Sequence, residues 1–326
     1  MGLTREGRLL TLAKVVASAA LAVVMVNVSS KAQQSADIAQ RRRPGIGSFG
    51  RRMASSLIAL TRQPQAQISR LLDGGYRPDT SFASAGRHDN AGIDVENLCV
   101  AYGDRLAVEC LTGTFAPASL TAVVGPNGAG KSSLLKAIAG ILPPRTGRVT
   151  CAASAANLLA YLPQQAELDR DFPITVGELV TLGGWRSFGA FLRPPRVMTE
   201  RIVAATAAAG LDGFTERRIA DLSVGEFQRA LFARLLLQDA SVILLDEPFA
   251  AVDERTTQDL LQLVKHWHDE GRTVVAVLHD LDQVRDHFPS ALLLARSCIA
   301  WGDTSAILTK DNFIRARKAL ERPDRV

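Results

Sequence analysis

The chain has 326 residues, 47% of them hydrophobic, with a formal charge of +5, so it can hold one large domain or two ordinary ones around a buried core. Residues 1–92 carry 13 Lys/Arg against 5 Asp/Glu, a balance of +8, whereas residues 93–326 carry 25 against 28, a balance of −3. The basic character belongs to the N-terminal segment, which gives no reason to expect nucleic acid as a partner of the remainder. Cys99, Cys110, Cys151 and Cys298 are too few and too scattered for a disulfide framework or a C-x-x-C metal site, and read as small apolar residues in a reducing compartment.

Residues 9–28 hold a nearly uninterrupted apolar run from Val15 to Val26 behind Arg5, Arg8 and Lys14. Its length suits a signal h-region and falls short of the roughly 20 residues of a membrane span unless Lys14 snorkels. A membrane anchor and a stretch that the functional protein does not need are the leading readings, and an export signal ranks last. Residues 29–92, with Arg41-Arg42-Arg43, Arg51-Arg52 and scattered Ser, Gln and Gly, have the composition of a disordered linker, so 1–92 is expected to be a basic extension.

Order is expected from Ile93, where an alternating stretch runs to Tyr102 before Gly103-Asp104 turns the chain into a hairpin partner at Leu106–Cys110. Leu120–Val124 reads as a strand leading into Gly125-Pro126-Asn127-Gly128-Ala129-Gly130-Lys131-Ser132, which satisfies G-x-x-x-x-G-K-[ST] and is followed by Ser133. Glycines at this spacing let backbone N–H groups converge on phosphate oxygens, a lysine reaches the β- and γ-phosphates, and a hydroxyl ligates Mg²⁺. A helix from about Lys131 to Ala139 adds its positive end. Leu158–Leu162 is a further short strand, ending at Pro163-Gln164.

Thr175-x-x-Glu178 is a capping box opening a helix that Gly183 should close, and Thr199 to Gly210 is a second, alanine-rich helix. Residues 175–221 thus form a helical insert. Ser223-Val224-Gly225-Glu226 is again S-x-x-E ahead of a helical stretch Phe227–Gln238, whose exposed N–H groups could bind an anion. Val242–Leu245 is an apolar run of the kind buried on both faces in a parallel sheet, and it ends in Asp246-Glu247. His266-Trp267-His268 falls on a polar helical stretch with solvated side chains. Thr273–Leu278 is another buried strand ending in His279-Asp280, Ala291–Ala295 a third, and residues 311–326 a helical tail.

The phosphate loop, Asp246-Glu247 and His279 are all expected at strand ends, where α/β sheets place ligand chemistry. A Mg²⁺–triphosphate needs a carboxylate for the metal, and hydrolysis needs a base to orient water. Adjacent carboxylates pointing in different directions can divide those tasks between Asp246 and Glu247.

With these motifs in order, residues 93 to about 310 resemble the ATP-binding-cassette (ABC) transporter ATPases. The resemblance makes GPNGAGKS the Walker A, Tyr102 the aromatic on which adenine stacks, and Gln164 the Q-loop glutamine. It makes Leu222–Glu226 the signature motif, with Ser223, Gly225 and Glu226 on the nucleotide. Val242–Asp246 becomes the Walker B, Glu247 the catalytic glutamate, Ala250–Asp253 the D-loop and His279 the switch histidine. The implied cofactors are ATP and Mg²⁺, the ion held by Ser132, Gln164 and Asp246. The implied fold is α/β: a P-loop NTPase core with a mostly parallel sheet, an N-terminal antiparallel β subdomain and a helical insert.

The family pairs head to tail, so a second copy of the domain, a membrane permease and, indirectly, a solute-binding protein are the implied partners, with the chain peripheral on the cytoplasmic face of the membrane. Val224 stands where the family usually has glycine and Glu226 replaces the commoner glutamine; a β-branched residue would be strained if position 224 required φ > 0. Tyr161-Leu-Pro-Gln-Gln, Asp171–Val176, the Gly184–Pro195 stretch and Ala276–Leu281 look like the zinc and manganese uptake branch, zinc ahead of manganese. Trp185, Phe188 and Phe191 among Arg186 and Arg193 are either the permease-docking surface or a peripheral hydrophobic cluster. An importer for an iron-chelate and a soluble ABC ATPase of translation or repair are the alternatives; one cassette without heptads favours transport.

Overall fold

The computed structural model describes residues 91–151, 159–164, 170–188 and 195–321, with residues 185–188 described by backbone alone. The expectations for the N-terminal extension and its apolar run, and for the side chains of Trp185, Arg186, Phe188, Phe191 and Arg193, lie outside the described residues.

In chain order the elements are β1 (Ile93–Tyr102), β2 (Arg105–Phe115), β3 (Leu120–Val124), α1 (Lys131–Ile138), β4 (Thr146–Cys151), β5 (Leu159–Leu162), α2 (Val176–Phe188), α3 (Arg196–Ala208) and α4 (Val224–Gln238). They continue with β6 (Val242–Asp246), α5 (Glu254–Asp269), β7 (Thr273–Val277), α6 (Leu281–His287), β8 (Ser290–Ala295), β9 (Ser297–Asp303), α7 (Thr304–Ile307) and α8 (Lys310–Glu321).

β1 alternates as the sequence does, sinking Ile93, Val95, Leu98 and Val100. It lies between β2 and β4 in an antiparallel three-stranded sheet of order β2-β1-β4, and β2 runs on to Phe115, five residues past the expected end. The second sheet has order β5-β6-β7-β3-β8-β9, parallel except for the β8–β9 pair. β3, β6 and β7 are buried at every position, as continuous apolar runs dictate for strands covered on both faces. The strand period of two sorts their side chains: Ala122, Val124, Ile243, Leu245, Val274 and Ala276 join the core beneath α2 to α5, while Val123, Val242, Leu244, Val275 and Val277 join the core beneath α1 and the antiparallel sheet. Each such Leu or Val, fully removed from water, stabilises the fold by about 1.5–3 kcal/mol.

Four expectations need correction. Gly183 does not end its helix, because α2 continues to Phe188. A Cβ on Gly183 would lie 2.2 Å from the Arg234 carbonyl oxygen, so this glycine serves the close packing of α2 on α4. α3 starts at Arg196 behind Pro195, three residues before Thr199. Trp267 is not solvated: with Leu260, Leu261 and Val264 it forms the buried stripe of α5 and stacks on Phe232 at 5.5 Å. Finally, Cys99 and Cys110 are not scattered in space but are neighbours across β1 and β2, with Cys110 exposed. Among the described residues no helix is long and apolar enough to cross a membrane.

Candidate nucleotide site

β3 delivers the chain to Gly125 at the C-terminal edge of the large sheet, and the loop to Ser132 wraps the N-terminus of α1. Gly130 has φ +92, and a Cβ there would meet the Ala107 carbonyl oxygen at 2.0 Å, so only glycine fits this turn into the helix. Lys131 is 6% exposed, and its Nζ donates to the carbonyl oxygens of Gly125 at 2.9 Å and Pro126 at 3.1 Å. Burial pushes its ammonium below the usual lysine range, and the nearby carboxylates of Glu247 and Asp246 oppose that shift.

Two strand ends meet this loop. Asp246, 1% exposed at the end of β6, accepts from Ser132 Oγ at 3.0 Å on Oδ1 and from the Tyr161 hydroxyl at 3.4 Å on Oδ2. Glu247 has left the strand: its N–H still donates to the Val277 carbonyl at 3.2 Å, but its φ is +51. A non-glycine residue in this region costs of order 1 kcal/mol and persists where the surroundings fix it. Here the side chain is fixed at both oxygens, by Gln164 Nε2 at 3.0 Å and His279 Nε2 at 2.7 Å. A cavity of about 600 Å³ is lined by Asn127, Gly128, Ala129, Gly130, Lys131, Ser132 and Ser133 on one side and Gln164, Glu247 and His279 on the other.

Helix-terminal N–H groups and a lysine suit a polyphosphate. The Ser132 hydroxyl, the Asp246 carboxylate and the Gln164 amide are hard oxygen donors, a set that fits Mg²⁺ carried in with phosphate oxygens. A carboxylate held at both oxygens beside that position is oriented for work on a water molecule.

The remaining predicted residues stand elsewhere. Ser223 caps α4: its Oγ accepts from the Glu226 N–H at 3.2 Å while Glu226 Oε2 accepts from the Ser223 N–H at 2.7 Å, completing the capping box. That backbone hydrogen bond, with the Ser223 hydroxyl and the Arg217 charge adding to it, holds the Glu226 carboxyl below the usual range. Val224 is the first helical residue and has no positive φ, so the strain raised for this position does not arise. Asp253 caps α5 by accepting from the Thr256 N–H at 3.0 Å, a bond that lowers its carboxyl pKa, and Gly225 lies against it. Ser223, Gly225, Glu226 and Asp253 therefore cluster with one another, and neither they nor the half-exposed Tyr102 line the cavity.

Three contributors were not singled out by sequence reasoning. Tyr161 was quoted only as part of a motif, yet its phenol reaches Asp246. Arg229 reaches from α4 to Asp259 at 2.6 Å and Thr256 Oγ1 at 3.3 Å, and Arg234 donates to the Tyr161 carbonyl at 3.1 Å. In the sequence they show only as two arginines, 229 and 234, on a mostly apolar helix.

The ABC transporter family model matches residues 108–250. The manganese transport system ATP-binding protein MntB of Listeria monocytogenes is 36% identical over 225 residues, covering 68% of this chain and 94% of its own. The zinc transport system ATP-binding protein TroB of Treponema pallidum is 37% identical over 228 residues, covering 69% and 86%. Among solved structures, an ABC transporter in an inward-facing conformation superposes with a TM-score of 0.63 at 28% identity, over 70% of this chain and 90% of the other.

Proposed function

Because the chain belongs to the ABC transporter ATPase family, which hydrolyses ATP, we propose that the cavity at the Walker A loop is its ATP site and that hydrolysis there drives import of zinc or manganese through a separate membrane permease. The observation that carries the transport reading is the match, over most of their length, to ATP-binding proteins of a manganese and of a zinc transport system. The two identities, 36% and 37%, stand level. The sequence runs Asp171–Val176 and 184–195 favour the zinc and manganese branch over other solutes, and within that branch we put zinc ahead of manganese. In this reading the metal is cargo of the permease and not a resident ion of this chain.

In this reading the N–H groups from Gly125 to Ser133 and the Lys131 ammonium bind the β- and γ-phosphates, and Tyr102 stacks on adenine. Ser132, Asp246 and Gln164 hold Mg²⁺, which when bound neutralises charge on the phosphoryl oxygens. Glu247 orients the attacking water and accepts its proton, while His279 and Gln164 fix the direction of its two carboxylate oxygens. Ser223, Gly225 and Glu226 lie outside the cavity of their own chain, which supports a head-to-tail pair in which α4 of a second copy presents its positive end to the γ-phosphate. The chain is then a peripheral subunit on the cytoplasmic side of the membrane, working with a permease and, indirectly, a solute-binding protein.

The test is deletion of the gene and measurement of radiolabelled zinc and manganese uptake by cells starved of metal by chelation. Uptake of one of them should fall at least about tenfold and return on expression of the wild-type chain but not of Glu247→Gln. Unchanged uptake and cellular content of both metals, with growth under chelation intact, would overturn the cargo and leave the ATPase assignment standing.

A further inference from the structure

Cys99 on β1 and Cys110 on β2 stand with their Sγ atoms 3.5 Å apart. An irregularity in the ladder produces this: Leu98 faces Leu111 and Val100 faces Val108, so Glu109 and Cys110 together stand opposite Cys99 alone. This is the two-against-one arrangement of a β-bulge. The extra residue is absorbed by Cys110, whose φ is +48. Neither bulge N–H serves the β1 backbone: that of Glu109 donates to the Arg296 carbonyl at 2.7 Å, and that of Cys110 donates to Cys99 Sγ at 3.3 Å. A backbone N–H directed at a sulfur stabilises that sulfur as a thiolate.

We propose that Cys99 and Cys110 form an oxidation site, a dithiol that hydrogen peroxide or an organic peroxide converts into a disulfide bridging β1 to β2. The two cysteines are unequal in the way the chemistry requires. Burial opposes ionisation of Cys99, but hydrogen bonds from Thr146 and from the Cys110 N–H and thiol outweigh it and hold Cys99 below the usual thiol range; the hydrogen bond to Cys99 holds Cys110 above it. The Cys99 thiolate attacks one peroxide oxygen, the O–O bond breaks with loss of hydroxide or alkoxide, and Cys99 becomes a sulfenic acid, oxidised by two electrons as the peroxide is reduced. The exposed Cys110 thiol then attacks the Cys99 sulfur. The S–S bond forms, the S–OH bond breaks, and the hydroxyl leaves with the Cys110 proton as water. Closing the 3.5 Å gap to an S–S bond of about 2.05 Å is a side-chain adjustment at a bulge. The bond ties the ribbon three residues before Tyr102, at the turn that ends β1.

The proposal is independent of the transported solute and is tested on the full chain. Purified reduced protein is titrated with hydrogen peroxide, alkylated, digested with trypsin and read by mass spectrometry; Arg105 lies between the two cysteines, so they fall on separate peptides unless joined. Cys99 and Cys110 should become protected together, as one joined species lighter by two hydrogens and restored by dithiothreitol, at peroxide concentrations at least about fivefold below those that consume Cys151 and Cys298. In Cys110→Ser a dimedone adduct should appear on Cys99. The oxidised wild-type protein should melt about 2–5 °C above the reduced form, a rise absent in Cys110→Ser. Oxidation of all four cysteines in parallel, or a disulfide joining two molecules, would overturn the proposal.

Discussion

Glu247 Oε1 lies 2.7 Å from His279 Nε2, and the opposite oxygen of the same carboxylate accepts from Gln164 at 3.0 Å. A side chain secured at both ends on a backbone with φ +51 has its direction settled before any substrate enters. Glu247→Gln keeps size and packing while removing the carboxylate proposed as the base. Phosphate release should fall at least about 100-fold while ATP affinity stays within a few-fold. Turnover near the wild-type value, with binding measured on the same preparation, would remove Glu247 from the mechanism.

Lys131 is a buried cation answered by backbone carbonyls and the charges of two carboxylates. Lys131→Ala should weaken ATP binding at least about tenfold. Because it removes a charge that burial disfavours, it should leave the melting temperature unchanged or raise it slightly. Titration calorimetry and a thermal melt on the same variant separate lost affinity from lost fold.

Asp246 is held from two sides, by Ser132 and by the Tyr161 hydroxyl. Tyr161→Phe deletes only the second hold. The Mg²⁺ concentration for half-maximal hydrolysis should rise about three- to tenfold while ATP binding in the presence of a chelator is unchanged. An unaltered Mg²⁺ dependence would show that the Ser132 contact suffices.

At the start of α4, Ser223→Ala removes one half of the capping box and should cost about 1 kcal/mol in urea unfolding. The other half is pH-dependent. The Ser223 N–H holds the Glu226 carboxyl below its ordinary range, so its contribution is present above the unfolded glutamate pKa and is lost as pH falls through the lower folded value. The stability difference between wild type and Glu226→Gln should therefore shrink between about pH 6 and about pH 3. Since the carboxylate faces solvent, the whole effect is about a few tenths of a kcal/mol.

Gly183 separates two accounts by sign. Judged by helix propensity, Gly183→Ala in a helix interior should stabilise by about 1 kcal/mol. Judged by packing, a Cβ placed 2.2 Å from the Arg234 carbonyl must force α2 and α4 apart, for a net loss of about 2 kcal/mol or more. The structure requires the loss, and urea unfolding of this one variant measures it.

That glycine also shows where sequence reasoning reaches. The phosphate loop, Asp246, Glu247 and His279 were legible because each is a local event at a strand end, written in a few adjacent residues. Gly183 was misread because the reason for it lies fifty-one residues away on α4, and nothing within the helix says whether a glycine ends it or admits a neighbour. Trp267 was misread because two histidines flank it, although Leu260 and Val264 place it on the buried stripe of an amphipathic helix. β4, with its mostly exposed Thr, Gly and Arg, pairs through its backbone and shows little pattern in its side chains. The Cys99–Cys110 contact depends on a one-residue irregularity in strand pairing, which no spacing rule encodes.

Arg234 gives the last consequence. Its carbonyl oxygen abuts Gly183 of α2 while its guanidinium donates to the carbonyl of Tyr161 near the end of β5, so one residue links two helices main chain against main chain and ties them to a strand through its side chain. Side chains absorb displacement by changing rotamer; backbones in direct apposition cannot. The α2–α4 contact at Gly183 therefore holds no intervening side chain whose rotamer could take up a displacement of one helix along the other.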